Sequence, residues 1–193
     1  AAGKGKRLHS EETKLPKCMV RANGRPLLDY VLDYTSFIPR EDKIIVVGFY
    51  KEVIEAHLPG YSFAFQREQK GTGDAVMAAY DLLADYGGDV LVINGDMPLI
   101  RESSLRALLE LHRREANDCT VLTYYESGEL PPFGRVLRGA DGRVCDIREY
   151  KDANESERAV RELNGGIYVF DCKKLFDCLQ LLEPSEATGE YYI

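Results

Sequence analysis

Apolar runs alternate with amphipathic stretches through the first part of the chain. Residues 43–48 and 90–93 contain the continuous apolar runs that are typical of strands buried on both faces, and alternation over residues 61–65 predicts a shorter strand. Apolar residues at helical spacing predict helices over residues 25–37, 72–85 and 103–114. Strands that alternate with helices indicate parallel strands joined by crossover helices, which is the pattern of an open α/β sheet.

The pattern changes after about residue 118, where short strands and turns replace the alternation. Strands are expected over residues 119–125, 134–137, 143–150 and 163–170, and a closing helix over residues 173–182. No internal repeat, low-complexity tract or linker interrupts the chain. We therefore predict an α/β fold with an open mixed sheet flanked by helices, in one continuous domain over residues 1–193.

Composition and charge narrow the class of partner. Hydrophobic residues make up 45% of the chain and charged residues 30%, which is ordinary for a globular protein, and no apolar run approaches the roughly 18–20 residues of a membrane span. The net charge is −7, yet residues 1–25 contain seven basic residues and two acidic ones. An acidic chain with one basic segment lacks the broad basic face that nucleic acid needs and suits a small polyanion. We expect neither nucleic acid nor a membrane as partner.

The cysteines and histidines indicate neither a metal site nor a disulfide framework. The five cysteines include no C-x-x-C pair and their number is odd, so free thiols in a reducing cytoplasm are expected. The three histidines, His9, His57 and His112, are scattered without metal spacing and are expected at the surface.

The first eight residues are basic and contain glycine, which predicts a loop. Gly3 and Gly5 let successive backbone N–H groups face inward around an anion, and the neighbouring cations include Arg7, which can hold a phosphate through two parallel hydrogen bonds. The loop matches neither the Walker A pattern nor the dinucleotide G-x-G-x-x-G pattern. Taken by itself, it is either a phosphate-binding loop or a solvated basic turn.

This loop and the residues that follow it resemble the sugar-nucleotide pyrophosphorylases. The family signature G-x-G-[TS]-R-[LM], followed by P-K, is similar to residues 3–8 and to Pro16-Lys17, although Lys6 replaces the usual small hydroxyl residue and residues 9–14 make a slightly long spacer. The resemblance implies a Rossmann-like fold of the nucleotide-diphospho-sugar transferase type. It also implies catalytic roles for Arg7 and Lys17, and contacts to the nucleotide from Ala1, Ala2, Gly3 and Lys4.

Residues 66–75 resemble the base-reading segment of that family, Q-x-x-Q-x-G-T-[GA]-x-A. The resemblance implies contacts to the base from Gln66, Gly71 and Thr72. The side-chain amide of Gln66 can both donate and accept, as a base edge requires, and Gly71 permits a close backbone approach. The alternative is an ordinary helix entry capped by Thr72.

The apolar run over residues 90–93 is followed by Asn94, Gly95 and Asp96. Ligands of open α/β sheets gather at the carboxyl ends of strands, and Mg²⁺ binds through one or two carboxylates together with substrate phosphates. The resemblance implies that Asn94 and Gly95 contact the nucleotide and that Asp96 binds Mg²⁺, the expected cofactor. The alternative is an aspartate that caps a turn before Pro98.

Motifs in the second part resemble the sugar-binding segments of one branch of the family. Residues 132–135 resemble G-[YF]-G-R, with Pro132 in place of the first glycine, and residues 149–153 and 163–168 resemble E-x-K-D-A and [LIV]-N-[TG]-G-I-Y. The resemblance implies sugar contacts from Gly134, Glu149 and Asn164, which supply both donors and acceptors. Residues 189–193 resemble G-E-Y-Y-[LI] of the same branch.

These motifs, in this order, resemble the bacterial N-acetylglucosamine-1-phosphate uridylyltransferases. The resemblance implies transfer of a uridylyl group from UTP to N-acetylglucosamine 1-phosphate, for peptidoglycan precursors in the cytoplasm. Two alternatives stay open: a hexose-1-phosphate thymidylyl- or uridylyltransferase, and a non-catalytic sugar-nucleotide-binding domain. The family's first strand, its second metal ligand and its hexapeptide-repeat β-helix with the trimer contacts have no counterpart in this sequence, so we expect a domain truncated at both ends.

Overall fold

The computed structural model describes residues 15–193. The expected phosphate loop, with Ala1, Ala2, Gly3, Lys4 and Arg7, lies outside the described residues, as does His9. Over residues 15–193, no helix is long and apolar enough to cross a membrane.

Strands and helices occur along the whole of this range. The strands are β1 (Arg21–Ala22), β2 (Arg25–Pro26), β3 (Ile44–Val47), β4 (Ser62–Phe65), β5 (Asp89–Ile93), β6 (Cys119–Tyr125), β7 (Arg135–Arg138), β8 (Val144–Arg148) and β9 (Glu162–Asp171). The α-helices are α1 (Leu27–Tyr34), α2 (Lys51–His57), α3 (Thr72–Met77), α4 (Tyr80–Leu83), α5 (Glu102–Glu115), α6 (Glu155–Arg158) and α7 (Cys172–Leu179). Short 3₁₀ helices lie at Lys17–Met19 and Arg40–Asp42.

β3, α2 and β4 form a strand–helix–strand unit, in which the two strands are predicted and the helix α2 is not. The two strands are parallel, with Ile44 beside Ser62 at one end and Val47 beside Phe65 at the other. The predicted helix over residues 72–85 is instead two short helices, α3 and α4. Between them the N–H of Ala79 donates to the carbonyl of Val76, three residues back, so the α-helical hydrogen bonding is interrupted there.

β9 lies at the centre of a five-stranded sheet. Tyr168 of β9 lies beside Val92 of β5 on one edge and beside Val121 of β6 on the other, and all pairings in this sheet are antiparallel. The prediction of parallel strands is therefore confirmed for β3 and β4 and wrong for β5, because the strand beside β5 comes from the second part of the chain and runs the opposite way. The α/β fold with an open sheet and flanking helices is confirmed.

A glycine bulge interrupts β9. Its register with β6 shifts between Val121 and Thr123, and Gly166 has φ +67°, a conformation that glycine adopts without a steric cost. A Cβ atom on Gly165 would lie 2.8 Å from Cδ2 of Leu122 and would fall on the carbonyl oxygen of the same residue. The bulge therefore requires glycine at both positions, and it sets the direction of the neighbouring residue Asn164.

Two groups of buried side chains hold the helices against the strands. The larger group joins α1, α2 and α5 to β3, β5 and β9, and its fully buried members are Val47, Ile54, Leu105, Ile167 and Val169. The smaller group is formed by the apolar face of α7, at Cys172, Leu175, Phe176 and Leu179. Burial of each such aliphatic or aromatic side chain contributes about 1.5–3 kcal/mol to folding.

His112 is buried, contrary to the expectation of a surface residue. Its side chain is only 3% exposed, with Nδ1 2.9 Å from Oγ1 of Thr120 and Nε2 3.6 Å from Oδ1 of Asp89. The last turn of α5 packs against β6, so the ring is enclosed there and finds polar partners. His57 is half-exposed and lies 2.6 Å from Oδ1 of Asp29. All five cysteines are free thiols, as predicted.

Candidate active site

The carboxyl end of β5 meets the bulge of β9. Ile93, the last residue of β5, lies beside Ile167, and the Nδ2 atom of Asn94 lies 2.9 Å from the position that a Cβ atom on Gly166 would occupy. Asn94 is exposed and Gly95 is buried. The segment after β5, which is expected to contact the nucleotide, and the segment of β9 that is expected to contact the sugar are therefore adjacent.

Lys17 and Asp96 form an ion pair beside this end of β5. Lys17 begins a 3₁₀ helix whose next residues, Cys18 and Met19, are buried in the core, so the backbone is anchored while 48% of the lysine side chain stays exposed. The Asp96 side chain is 20% exposed. The lysine of this pair is therefore accessible to an incoming phosphate, whereas the carboxylate is mostly covered by the protein.

Asp96 supplies a single carboxylate to the candidate magnesium site. Within residues 15–193, no cluster of three or more His, Cys, Asp or Glu side chains could hold a metal ion by itself. Mg²⁺ in phosphate-transfer sites needs only one or two carboxylates, because phosphate oxygens and waters complete its coordination. The single carboxylate of Asp96 therefore fits a metal ion that arrives with the nucleotide and does not form a self-contained cation site.

Gly134, Glu149 and Asn164 come together, although they lie in separate segments. The backbone N–H of Asn164 donates to the carbonyl of Gly134 over 2.9 Å. Oε1 of Glu149 lies 3.0 Å from the position that a Cβ atom on Gly134 would occupy, and Cβ of Asn164 lies 3.3 Å from the same position. A Cβ atom at this position would press on the carboxylate, so glycine lets Glu149 and Asn164 pack closely against the backbone here.

The side chains of this cluster are held in defined states. The side-chain amide of Asn164 donates to the hydroxyl of Tyr168 over 2.6 Å, and its oxygen accepts from the N–H of Gly166 over 2.9 Å. Burial raises the pKa of Glu149 above its ordinary value of 4.5, and the negative charges of Asp152 and Glu190 raise it further. The cluster thus combines a fixed amide with a carboxyl group that holds its proton more strongly than usual.

Arg135 has a structural role that the sequence reasoning did not assign. Its side chain is fully buried and donates to the carbonyls of Pro131 and Phe133 over 3.0 and 2.6 Å, and to that of Arg158 over 3.0 Å. The guanidinium also lies over the ring of Tyr150, at 5.4 Å from its centroid. These contacts hold the turn that presents Gly134. The motif alone does not predict this role, because no sequence signal distinguishes a buried arginine from an exposed one.

Gln66 is buried at the carboxyl end of β4 with its amide nitrogen already engaged. Nε2 donates to the carbonyl of Gly71 over 3.1 Å and to Oδ2 of Asp74 over 2.7 Å. Asp74, which sequence reasoning did not single out, therefore fixes which way the amide points. The arrangement leaves Oε1 of Gln66 as the atom that could accept a hydrogen bond from a base.

The backbone that approaches Gly71 closely is that of Tyr191. Gly71 has φ +111°, and a Cβ atom there would fall on the carbonyl oxygen of Tyr191. Gly71, not Thr72, is the N-cap of α3, and no side chain caps this helix. Oγ1 of Thr72 instead accepts from the N–H of Ile193 over 3.1 Å. The N-cap role expected for Thr72 is therefore wrong, because the segment at residues 189–193 occupies this helix end.

A cation–carboxylate pair and an amide–carboxylate cluster at strand ends are typical of α/β enzymes, which bind their ligands at such ends. Residues 1–165 match the family model described as the MobA-like NTP transferase domain, and the chain belongs to this family. Membership places it among the nucleotidyltransferases, as the sequence motifs had predicted.

The chain is similar to streptococcal proteins named Bifunctional protein GlmU. It is 44% identical over 196 residues to the protein from Streptococcus equi subsp. zooepidemicus (strain ATCC 35246 / C74-63) and 42% identical over 194 residues to that from Streptococcus thermophilus (strain CNRZ 1066). Each comparison covers 100% of this chain and 41% of the relative. The chain thus spans about two fifths of the length of these relatives.

Solved structures of UDP-glucose pyrophosphorylase share the fold. The crystal structure complexed with UDP-glucose has a TM-score of 0.80 and 20% identity, over 100% of this chain and 81% of that one. The apo structure has a TM-score of 0.78 and 19% identity, over 99% of this chain and 81% of that one. These neighbours confirm the Rossmann-like architecture of the nucleotidyltransferases.

Proposed function

We propose that this chain transfers a uridylyl group from UTP to N-acetylglucosamine 1-phosphate, giving UDP-N-acetylglucosamine and pyrophosphate. The observation that carries the proposal is the contact between the end of β5, at Asn94, and the bulge of β9, at Gly166. A nucleotide held by the first segment and a sugar held by the second would meet at this point. The similarity to the GlmU proteins over the whole chain supports these two substrates.

The reaction needs alignment and charge neutralisation more than covalent chemistry. A phosphate oxygen of the sugar phosphate attacks the α-phosphorus of UTP, the bond from that phosphorus to the α,β-bridging oxygen breaks, and the bond's electron pair leaves with pyrophosphate. The attacking oxygen is already ionised near neutral pH, so no general base is required. Lys17 would neutralise the α-phosphate and the sugar phosphate as they approach, while Arg7 and the backbone at Ala1, Ala2, Gly3 and Lys4 would bind the leaving phosphates.

Asp96 would hold Mg²⁺ together with the phosphates of the nucleotide. When bound, the ion supplies positive charge that spreads the charge developing on the transferred phosphorus. Asp96 is suited to this task because its carboxylate follows the end of β5, where ligands of open α/β sheets gather, and Mg²⁺ would replace the ammonium group of Lys17 on its oxygens.

The sugar would be held by the cluster of Gly134, Glu149 and Asn164. Glu149 can accept hydrogen bonds from ring hydroxyls, and Asn164 offers an amide whose position is set by Tyr168. The base would be read by Gln66 through the oxygen that Asp74 leaves free, with Gly71, Thr72, Asn94 and Gly95 as further nucleotide contacts. Substrates of this kind and five free thiols favour the cytoplasm.

A pyrophosphate-release assay tests the proposal. The intact protein is given UTP, TTP or CTP, each with N-acetylglucosamine 1-phosphate or glucose 1-phosphate, in the presence of Mg²⁺. We expect the highest kcat/KM for UTP with N-acetylglucosamine 1-phosphate, and stronger discrimination against CTP than against TTP, since a site that pairs with a base edge leaves its polar groups unpaired on the wrong base. Gln66→Ala should reduce the ratio of kcat/KM for UTP to kcat/KM for CTP.

The other outcomes separate the alternatives. A preference for glucose 1-phosphate would assign the chain to the hexose-1-phosphate thymidylyl- or uridylyltransferases. Binding of a sugar nucleotide without pyrophosphate release would assign it to non-catalytic sugar-nucleotide-binding domains. Glu149→Gln should raise the KM for the sugar phosphate and leave the KM for UTP unchanged, whereas Glu41→Gln, at an exposed position remote in sequence from every motif, should change neither.

A further inference from the structure

Residues 185–193, called here the bridge segment, contact both halves of the candidate site. At its first end, Oγ of Ser185 donates to the carboxylate of Asp152, at 2.9 Å from Oδ1 and 2.8 Å from Oδ2. The N–H of Ala187 donates to the same Oδ1 over 3.2 Å. Asp152 thus holds the start of the segment by its side chain.

Asp152 is attached to the sugar cluster through its own backbone. Its N–H donates to the carbonyl of Glu149 over 3.0 Å, and the N–H of Ala153 donates to the same carbonyl over 2.9 Å. Glu190 of the bridge segment is near enough for its charge to contribute to the raised pKa of Glu149. The first end of the bridge segment is therefore joined to the residue proposed to bind the sugar.

The other end of the bridge segment is joined to the turn that precedes α3. The N–H of Tyr191 donates to the carbonyl of Lys70 over 2.7 Å, and the N–H of Gly73 donates to the carbonyl of Tyr191 over 2.9 Å. Gly71 lies between these two contacts with no room for a Cβ atom. Since the carbonyl of Gly71 also accepts from Gln66, this end is fixed to the residue proposed to read the base.

Hydrogen bonds within the bridge segment make it a compact loop. The N–H of Ser185 donates to the carbonyl of Glu190 over 2.9 Å, and the N–H of Gly189 donates to the carbonyl of Ser185 over 2.7 Å. The N–H of Thr188 donates to Oγ of Ser185 over 3.2 Å. The hydroxyl of Ser185 takes part both in these internal contacts and in the contact with Asp152.

We propose that the bridge segment couples the two substrate sites, with Asp152 and Ser185 as positioning residues, so that binding of the nucleotide raises the affinity for the sugar phosphate. The inference rests on the proposed function, since it takes the Gln66 turn as the base site and the Glu149 cluster as the sugar site. Linkage requires that the sugar phosphate raise the affinity for the nucleotide by the same factor. Neither positioning residue needs to touch a substrate.

Calorimetric titration of the intact protein measures this factor directly. The probe is a UTP analogue with a methylene group between the α- and β-phosphates, which binds but cannot transfer, titrated with and without saturating N-acetylglucosamine 1-phosphate. We expect the sugar phosphate to tighten analogue binding at least about fivefold in the unmodified protein. In Ser185→Ala the factor should fall to within about twofold of unity, while the Kd for the analogue alone changes little.

Ser156→Ala is the matched control, because Oγ of Ser156 also makes a side-chain hydrogen bond, to Oδ1 of Asn154, on the exposed helix α6. It should keep the full coupling factor at a similar Tm. Asp152→Asn, which keeps the shape of the side chain, serves as a second variant should Ser185→Ala unfold, and it should lose the coupling too.

The titrations distinguish a failure of the coupling proposal from a failure of the proposed function. A coupling factor that is near unity in the unmodified protein, or that is unchanged in both Ser185→Ala and Asp152→Asn, would overturn the role of the bridge segment and leave the proposed function intact. No binding of the analogue to the unmodified protein, with or without the sugar phosphate, would instead overturn the proposed function. A variant that lowers Tm yet keeps the factor would show a purely structural role.

Discussion

The ammonium group of Lys17 and the carboxylate of Asp96 form an ion pair that joins the segment before β1 to the end of β5. About half of the lysine side chain is in contact with solvent. Pairs of this exposure contribute roughly 0–1 kcal/mol to stability, so folding alone gives little reason to hold a lysine at this strand end. A site that handles phosphates gives a reason, because it needs a cation beside the carboxylate that would bind a metal ion.

Lys17→Ala and Asp96→Asn should each reduce kcat by about 10²–10³, the usual effect of removing one well-placed charge stabiliser. Tm should change little, since neither side chain belongs to the core. Asp96→Asn should also raise the Mg²⁺ concentration needed for half-maximal rate. Pyrophosphate release and thermal unfolding measure these effects.

Arg25→Ala is the control for this pair, because it breaks an ion pair of Arg25 with Asp33 in which the arginine is as exposed as Lys17. It should leave kcat and Tm unchanged. Near-normal turnover in Lys17→Ala and Asp96→Asn would show that the pair is only a surface contact.

Glu149→Gln should stabilise the protein at neutral pH while it weakens sugar binding. The pKa of Glu149 is raised in the folded state, chiefly by burial, so between the ordinary and the raised pKa the folded state binds more protons than the unfolded state. Stability therefore falls as the pH rises through this window, and the ionised group opposes folding above it. The neutral glutamine removes that cost.

Thermal unfolding at neutral pH and at about pH 4 tests this sign. The Tm of Glu149→Gln should exceed that of the unmodified protein at neutral pH, and the difference should shrink in acid, where the glutamate is protonated in both states. The raised pKa would be contradicted if the Tm of the variant, measured relative to that of the unmodified protein, were lower at neutral pH than in acid.

Glu162→Gln should destabilise the protein at neutral pH, which is the opposite of the effect expected for Glu149→Gln. Arg138 donates two hydrogen bonds to this buried carboxylate and holds its pKa at about 2, with further bonds from Thr123 and Tyr125. The stabilisation is complete above the ordinary pKa of 4.5 and is lost as the pH falls toward 2. The substitution should cost about 2–3 kcal/mol at neutral pH, the value of hydrogen bonds to a charged group.

Urea unfolding across this range of pH measures the loss, which should disappear in acid. Glu102→Gln is the control, because Glu102 forms an exposed pair with Arg106 on α5 and should show almost no effect at either pH. A constant difference between Glu162→Gln and the unmodified protein at every pH would mean that the substitution acts through packing instead of through charge.

Gly165→Ala should destabilise the fold by about 1–3 kcal/mol, because the added methyl group meets the backbone of Leu122 and overpacking of this kind shifts the chain. The displacement would move Asn164, so the KM for the sugar phosphate should rise as well. Gly87→Ala is the control, since nothing lies within 4 Å of a Cβ atom there. Equal unfolding curves for the two variants would show that the bulge yields without cost.

The residues that sequence reasoning could not assign share one physical cause. Asp74 acts on the amide of Gln66 at the end of β4. Arg135 donates to the carbonyl of Arg158 in α6 as well as to those of Pro131 and Phe133 in its own turn. Nothing in the local spacing indicates the partners Gln66 and Arg158. The misplaced N-cap at Thr72 has the same origin, because residues 189–193 fill the helix end.

The sequence by itself determined the order and type of most elements, the two sets of candidate site residues and the family. Hydrophobic periodicity and motif spacing are local properties, and β6, for example, was predicted with the bounds that the structure has. Only the tertiary structure decided that β5 lies antiparallel to β9, that Lys17 pairs with Asp96, and that the bridge segment joins the Gln66 turn to Asp152. These relationships depend on which distant segments pack together, and packing is set by the shape and charge of the whole chain rather than by any short run of residues.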